Sequence, residues 1–187
     1  VSINNDMPDV RQTISDFYRV AVERDFARDF QFRVLSIDSG GASSVTFDED
    51  DLVYCTAANL PARAITNVAV PYMGLNFNLP GNATYPGSDG YTLNFYSDQN
   101  SVLRQKFEDM SRDIFDDATS TGNYFAPRQS AVIDLVQLDT QLDAVAQYQL
   151  VGASVRNVGE LTYNISGGSG TIVNFTATMA YHYFRRR

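Results

Sequence analysis

The residues able to do chemistry are few and do not form a set. The chain of 187 residues has one histidine, His182, and one cysteine, Cys55. A Ser–His–Asp triad would have to use His182, and no Gly-x-Ser-x-Gly elbow precedes it. With no second His or Cys, a His/Cys metal cluster cannot be built, and neither a metal nor a cofactor is expected. The acidic run Asp48 to Asp51 lacks the alternating ligands and central glycine of a calcium loop, and reads as a solvated acidic loop. "SGGSG", residues 166–170, lacks the Lys-Ser/Thr and the following helix of a phosphate cradle, and reads as a hairpin turn. Asp116 and Asp117 sit at a predicted helix end, which gives no ground for a glycosidase carboxylate pair. Asn-x-Ser/Thr sequons at Asn82, Asn164 and Asn174 carry no meaning without a secretory route. The closing Phe-Arg-Arg-Arg reads as a solvated tail. The expectation is a protein that is not an enzyme.

Composition narrows the class. The chain is 44% hydrophobic and 19% charged, which is globular rather than disordered, and its length suits one domain spanning residues 1–187. Its net charge of −8 opposes binding to nucleic acid phosphates. Lys106 is the only lysine; the other cations are arginines, which tilts the surface toward interface pairing. A lone Cys55 allows no intrachain disulfide and reads as a small buried apolar residue. No apolar run suits a signal peptide or a membrane span, so a soluble protein made in a cytoplasm, without a membrane anchor, is expected.

Periodicity supplies the elements. Val10, Ile14, Phe17, Tyr18 and Ala21 predict a helix from Pro8 to about Arg24, within an N-terminal helical segment over residues 1–29. Phe30, Phe32, Val34 and Ser36 alternate with Gln31, Arg33 and Leu35 as a strand. Residues 38–51 form an acidic excursion. Pro61, Pro71 and Pro80 break the next extended stretch into a hairpin. Tyr91, Leu93 and Phe95 share one strand face. Leu103, Phe107, Met110 and Ile114 form a helical stripe, which Asn100 or Ser101 is placed to cap. "SAVIDLVQL", "LDAVAQYQLVG" and "NVGELTYNI" supply further strands. The total, roughly seven mostly antiparallel strands and two helices, predicts a mainly β, two-sheet sandwich or barrel with flanking helices, an α+β fold.

The last strand, "GTIVNFTATMAYHYF", alternates in an unusual way. Val173, Phe175, Ala177, Met179, Tyr181 and Tyr183 belong in a core. The other side carries Asn174, Thr176, Thr178 and His182, and no charged residue occurs from Leu161 to Phe184. Gln147 and Gln149 make a second neutral polar face.

Four fragments, in order, resemble the tail tube protein of contractile-tailed bacteriophages. They are Asp25-Phe26-Ala27-Arg28, Asn59-Leu60-Pro61-Ala62, Arg104-Gln105-Lys106-Phe107 and Asn157-Val158-Gly159-Glu160-Leu161. Against that family this chain is longer at the front, carries an insertion at residues 38–51 and lacks tryptophan. The resemblance implies a sandwich that closes into a six-membered ring with a continuous inner β-barrel, the rings stacking into a tube. It implies assembly in a host cytoplasm into a virion tail, with the sheath, baseplate tube-initiator and tail terminator proteins as partners. DNA would pass without being held. Twenty-four strands at ~4.8 Å give a circumference of roughly 115 Å and a diameter of about 37 Å. After roughly 10 Å for inward side chains, a duplex about 20 Å across still passes.

On that reading Gln147, Gln149, Asn174, Thr176, Thr178 and His182 are expected to face the lumen. A neutral wall neither holds phosphates nor sticks to bases. Arg63, Arg156, Asp48 and Asp50 are expected at contacts between subunits. Alternatives are a baseplate tube-initiator, the tube of a related tailocin or type VI secretion system, and, more remotely, a carbohydrate-binding β-sandwich module.

Overall fold

The computed structural model describes residues 13–123 and 127–187. In chain order its elements are α1 (Ile14–Arg24), β1 (Phe32–Ser39), α2 (Glu49–Val53), β2 (Cys55–Ala58), β3 (Ala64–Tyr72), β4 (Leu75–Thr84), β5 (Tyr91–Tyr96) and α3 (Val102–Ile114). Then come the short β6 (Phe115–Asp116) and β7 (Thr121–Gly122), β8 (Ala131–Leu138), β9 (Ala144–Val151), β10 (Ser154–Val158), β11 (Asn174–Ala180) and β12 (Tyr183–Arg186).

Two four-stranded sheets face each other, one ordered β1-β8-β9-β12 and the other β10-β11-β5-β2. Every strand pair is antiparallel. The predicted sandwich is therefore present. Its core is the inward set of both sheets: Val34, Ile133, Leu135 and Leu150 from the first, Leu93, Phe95, Phe175, Ala177 and Met179 from the second. The α3 stripe of Leu103, Phe107 and Met110 packs into this core against the second sheet, as its four- and three-residue spacing predicts. Phe107 is fully buried, with ring centroids of Phe47, Phe95 and Phe175 at 4.7, 5.3 and 6.1 Å.

Several boundaries differ from the sequence reading, each for a local reason. Ser101 is the N-terminal boundary residue of α3, but it sits at φ 54° and makes no side-chain cap. The Asp98 carboxylate caps instead, accepting from the N–H groups of Val102 (2.9 Å) and Leu103 (3.3 Å). In β1 a bulge between Val34 and Ser36 throws Leu35 outward and brings Ile37 into the core, which simple alternation does not foresee. "SGGSG" is no tight hairpin; it lies within residues 159–173, the long link from β10 to β11. The predicted helix starts at Ile14, capped by a reciprocal Thr13–Asp16 box. Its stretch before Thr13 lies outside the described residues.

The excursion at 38–51 is held against its own subunit. Phe47 packs on Phe107, the Ser43 hydroxyl donates to the Asp113 carboxylate, and Asp48 and Asp51 both reach Lys106. Its last residues open α2, which drops Leu52 into the core.

The final predicted strand is two strands. β11 pairs with β5 in the second sheet, whereas β12 pairs with β9 in the first. The chain crosses between sheets at Tyr181 and His182, whose N–H groups donate to the carbonyls of Ser88 and Val151 respectively. The crossing adds one residue to the alternation, so Phe175, Ala177, Met179 and Tyr181 point inward, and then Phe184 does, not Tyr183.

Candidate functional site

The sandwich has two outer faces of different chemistry. On the β10-β11-β5-β2 sheet, Asn157 stands opposite Thr178 and Thr178 opposite Thr92. The next row is Thr176, Asn94 and Ala57, and the last is Asn174 and Tyr96. The Thr176 hydroxyl donates to Asn94 Oδ1 at 2.7 Å. None of these paired positions is charged. Arg156 sits at the bulge between Val155 and Asn157 and is engaged with Asp89, through that residue's carbonyl and carboxylate.

The outer face of the β1-β8-β9-β12 sheet is crossed by a bonded polar row. Ser36 donates to Asp134 at 2.9 Å, Gln149 Nε2 donates to Asp134 at 3.0 Å, and Arg185 Nε donates to Gln149 Oε1 at 2.9 Å. Arg187 reaches the same oxygen at 3.3 Å. The row leaves Gln149 only 5% exposed. Asp38 and Arg33 flank it on β1.

This division bears directly on the six lumen candidates. Asn174, Thr176 and Thr178 share one outer face. Gln147 and Gln149 lie on the opposite one. His182 lies at the crossing, its ring against Gly152. The six candidates therefore do not share one face, because β11 and β9 belong to different sheets.

A second feature is the β3–β4 hairpin, a two-stranded sheet separate from both four-stranded sheets. It turns at Met73 and Gly74, with φ of 51° and 81°, the left-handed pair of a tight two-residue turn. Its base is fixed by Tyr91, whose hydroxyl donates to the Asn59 carbonyl at 2.5 Å and whose burial pushes its pKa upward. The register sorts its side chains. Val68, Val70 and Tyr72 stand opposite Leu79, Phe77 and Leu75, all of them exposed. The alternate positions pair Asn67 with Pro80, Ala69 with Asn78 and Pro71 with Asn76, and Asn67 Nδ2 donates to Asn78 Oδ1 at 2.9 Å. One face is thus apolar and the other is amide-rich and uncharged. No charged residue occurs from Ala64 to Ser88, a signal readable from sequence that the strand-break reading passed over.

The inter-subunit candidates are scattered. Arg63 and Asp50 are exposed. Asp48 caps α2 and pairs with Lys106 at 3.5 Å within its own chain, and Arg156 is held by Asp89. Cys55 is half-buried, and burial pushes its thiol up to about 11, away from nucleophilic use. Asp116 accepts from the Ala118 N–H, which lowers its pKa; it shapes the β6–β7 turn. Among the described residues no group of three or more His, Cys, Asp or Glu could hold a metal ion.

No protein-family model matches the chain. No curated protein matches it either. Solved structures match in fold. A chain of the sheath/tube terminator of an extracellular contractile injection system, PVC, gives a TM-score of 0.58 at 10% identity, over 87% of this chain and 96% of that one. A chain of the tube-terminating cap of the anti-feeding prophage gives 0.57 at 9% identity, over 100% and 99%. A chain of the PVC sheath–tube complex in its extended state gives 0.54 at 11% identity, over 95% and 99%. At these identities the likeness is one of fold: this chain has the two-sheet fold found in components of contractile injection systems.

Proposed function

We propose that the chain is a structural, tube-forming component of a contractile injection apparatus, built as six-membered rings stacked around a channel. The observation that carries this reading is the outer face of the β10-β11-β5-β2 sheet, uncharged at its paired positions with its bulge cation Arg156 held by Asp89, together with the uncharged amide face of the hairpin that leaves the end of that sheet. A wall of Thr92, Asn94, Asn157, Asn174, Thr176 and Thr178 offers a polyanion neither cations to hold it nor an apolar surface to wet poorly. The opposite face, with Arg33, Arg185 and Arg187, would hold phosphates; we assign it to the outside of the tube.

The sequence resemblance narrows the reading to the inner tube of a contractile phage tail, through which DNA leaves. The fold likeness to extracellular injection systems supports the broader class, in which sheath, baseplate and terminator components are the partners. Ring closure would also cover the open edges of β10 and β2, removing an aggregation hazard.

Electron microscopy of the purified protein tests the reading. Annular particles or tubes with a central hole are expected. A chain that stays monomeric at high concentration, even beside a nucleating baseplate complex, overturns it.

A further inference from the structure

Two apolar surfaces lack a partner among the described residues, and they enter the sandwich at opposite ends. The hairpin leaves from the end that carries Tyr91, Ala153 and Tyr181. The α1 helix enters at the other end, through residues 25–31, where the Gln31 carbonyl accepts from the Leu138 N–H. None of the side chains of α1 is buried. Ile14 and Tyr18 are 77% and 66% exposed, and Phe17, stacked on Phe26 at 5.9 Å, completes the stripe. An isolated hairpin is marginal in water, and a helix of eleven residues depends on burying its apolar stripe.

We propose that α1 of one copy packs across the apolar face of the β3–β4 hairpin of a second copy in the adjoining ring, an inference that rests on the tube reading above. The occupant is a second copy because the two surfaces match in character. The hairpin face of Val68, Val70, Tyr72, Leu75, Phe77 and Leu79 is uncharged. The α1 stripe carries its charges on the flanks, where Arg19 pairs with Glu23 at 3.6 Å. At roughly 100 Å² per half-exposed large side chain, about half of what a fully buried aromatic contributes, the nine side chains of the two faces cover on the order of 900 Å². That lies below the about 1,200 Å² at which stable single interfaces begin, so the contact would hold through its repetition around a ring. Each copy would give its helix to one neighbour and its hairpin to another, a heterologous contact that propagates along an axis. The amide face of the hairpin, with Asn67, Asn76 and Asn78, is left turned to the channel.

Cross-linking of the full chain tests the contact. In a Cys55→Ser background, a Tyr18→Cys copy is mixed with a Val70→Cys copy under oxidising conditions. The disulfide heterodimer is expected to exceed that from a Tyr18→Cys and Asn78→Cys mixture by at least roughly tenfold, since a disulfide needs Cβ atoms within about 4.5 Å. Rings without this cross-link overturn the clasp and leave the tube reading standing. The cross-link in particles with no central hole upholds the clasp and overturns the tube. Absence of both overturns both. Phe17→Asp supplies a second readout: tubes reduced to single rings with an unchanged subunit melting curve are expected, and full-length tubes would overturn the proposal.

Discussion

A Cβ placed on Gly152 would stand 2.4 Å from Nδ1 of His182 and 2.7 Å from its Cγ, so the imidazole fills space that only a glycine leaves free. Gly152 also holds φ 74°, a left-handed value that costs an L-residue about 1–2 kcal/mol. Here β9 turns into β10 and the closing strand changes sheets. Gly152→Ala is therefore expected to cost about 2–3 kcal/mol, steric and conformational parts together. In a His182→Ala background only the conformational part remains, about 1–2 kcal/mol. Urea midpoints of the four variants of this cycle check the coupling; strict additivity would show that the ring is not the obstacle.

Lys106 Nζ lies 2.5 Å from Asp51 and 3.5 Å from Asp48, tying α3 to the cap of α2. The hydrogen bond to Asp51, assisted by the two carboxylate charges, raises the lysine pKa above its ordinary 10.5. A cation whose folded-state pKa is raised contributes fully below its unfolded value and loses that contribution as pH climbs through the folded one. Lys106→Met should thus cost about 1 kcal/mol near neutral pH. Its deficit against the parent should shrink only once pH passes 10.5. Denaturation midpoints at pH 7, 9 and about 11.5 measure it; a deficit that shrinks already between 7 and 9 would contradict the assignment.

The same tie changes what removal of the 38–51 excursion does. Charge and glycine content make this stretch look like a solvated loop, available to a neighbour. The signal for its true role is a single aromatic, Phe47, whose burial against Phe107 no local pattern announces. Deleting Ser39 to Asp50 removes that ring, the Asp48 contact to Lys106 and the Ser43 bond to Asp113. The subunit itself should be destabilised, by more than the roughly 3–5 kcal/mol of a single Phe107→Ala cavity. Calorimetry of the two variants ranks them. A deletion that melts like the parent would return the loop to the neighbour.

Much of the architecture was readable because burial follows period. The α3 stripe and the inward faces of β5 and β11 fell where alternation put them. What escaped is where the count resets or the chain changes sheet: Leu35 at a bulge, the turn at Gly152 that puts Gln149 and Thr178 on opposite sheets, and the crossing at His182 that turns Phe184 inward in place of Tyr183. Which sheet a strand joins depends on pairing with residues up to a hundred positions away, such as Ser36 with Asp134. The hairpin turn was hidden for a different reason. Its left-handed pair is Met73-Gly74, not the Asn-Gly that normally signals such a turn.

The assignment of channel and exterior yields the last prediction. A lysine at position 178 would lie on the unpaired face of β11, whereas one at position 147 would lie on the opposite sheet beside Arg187. In a hexameric ring each substitution adds a girdle of cations. Thr178→Lys tubes are expected to retain a short, freely diffusing oligonucleotide yet ignore DNA fixed to beads too large to enter a channel. Gln147→Lys tubes should bind both. The retained oligonucleotide should be released as salt rises from about 50 to 200 mM, the signature of counterion-driven binding. If Thr178→Lys tubes are captured by the beads instead, the neutral sheet faces outward, and the wall of the channel must be sought on the sheet that carries Asp134.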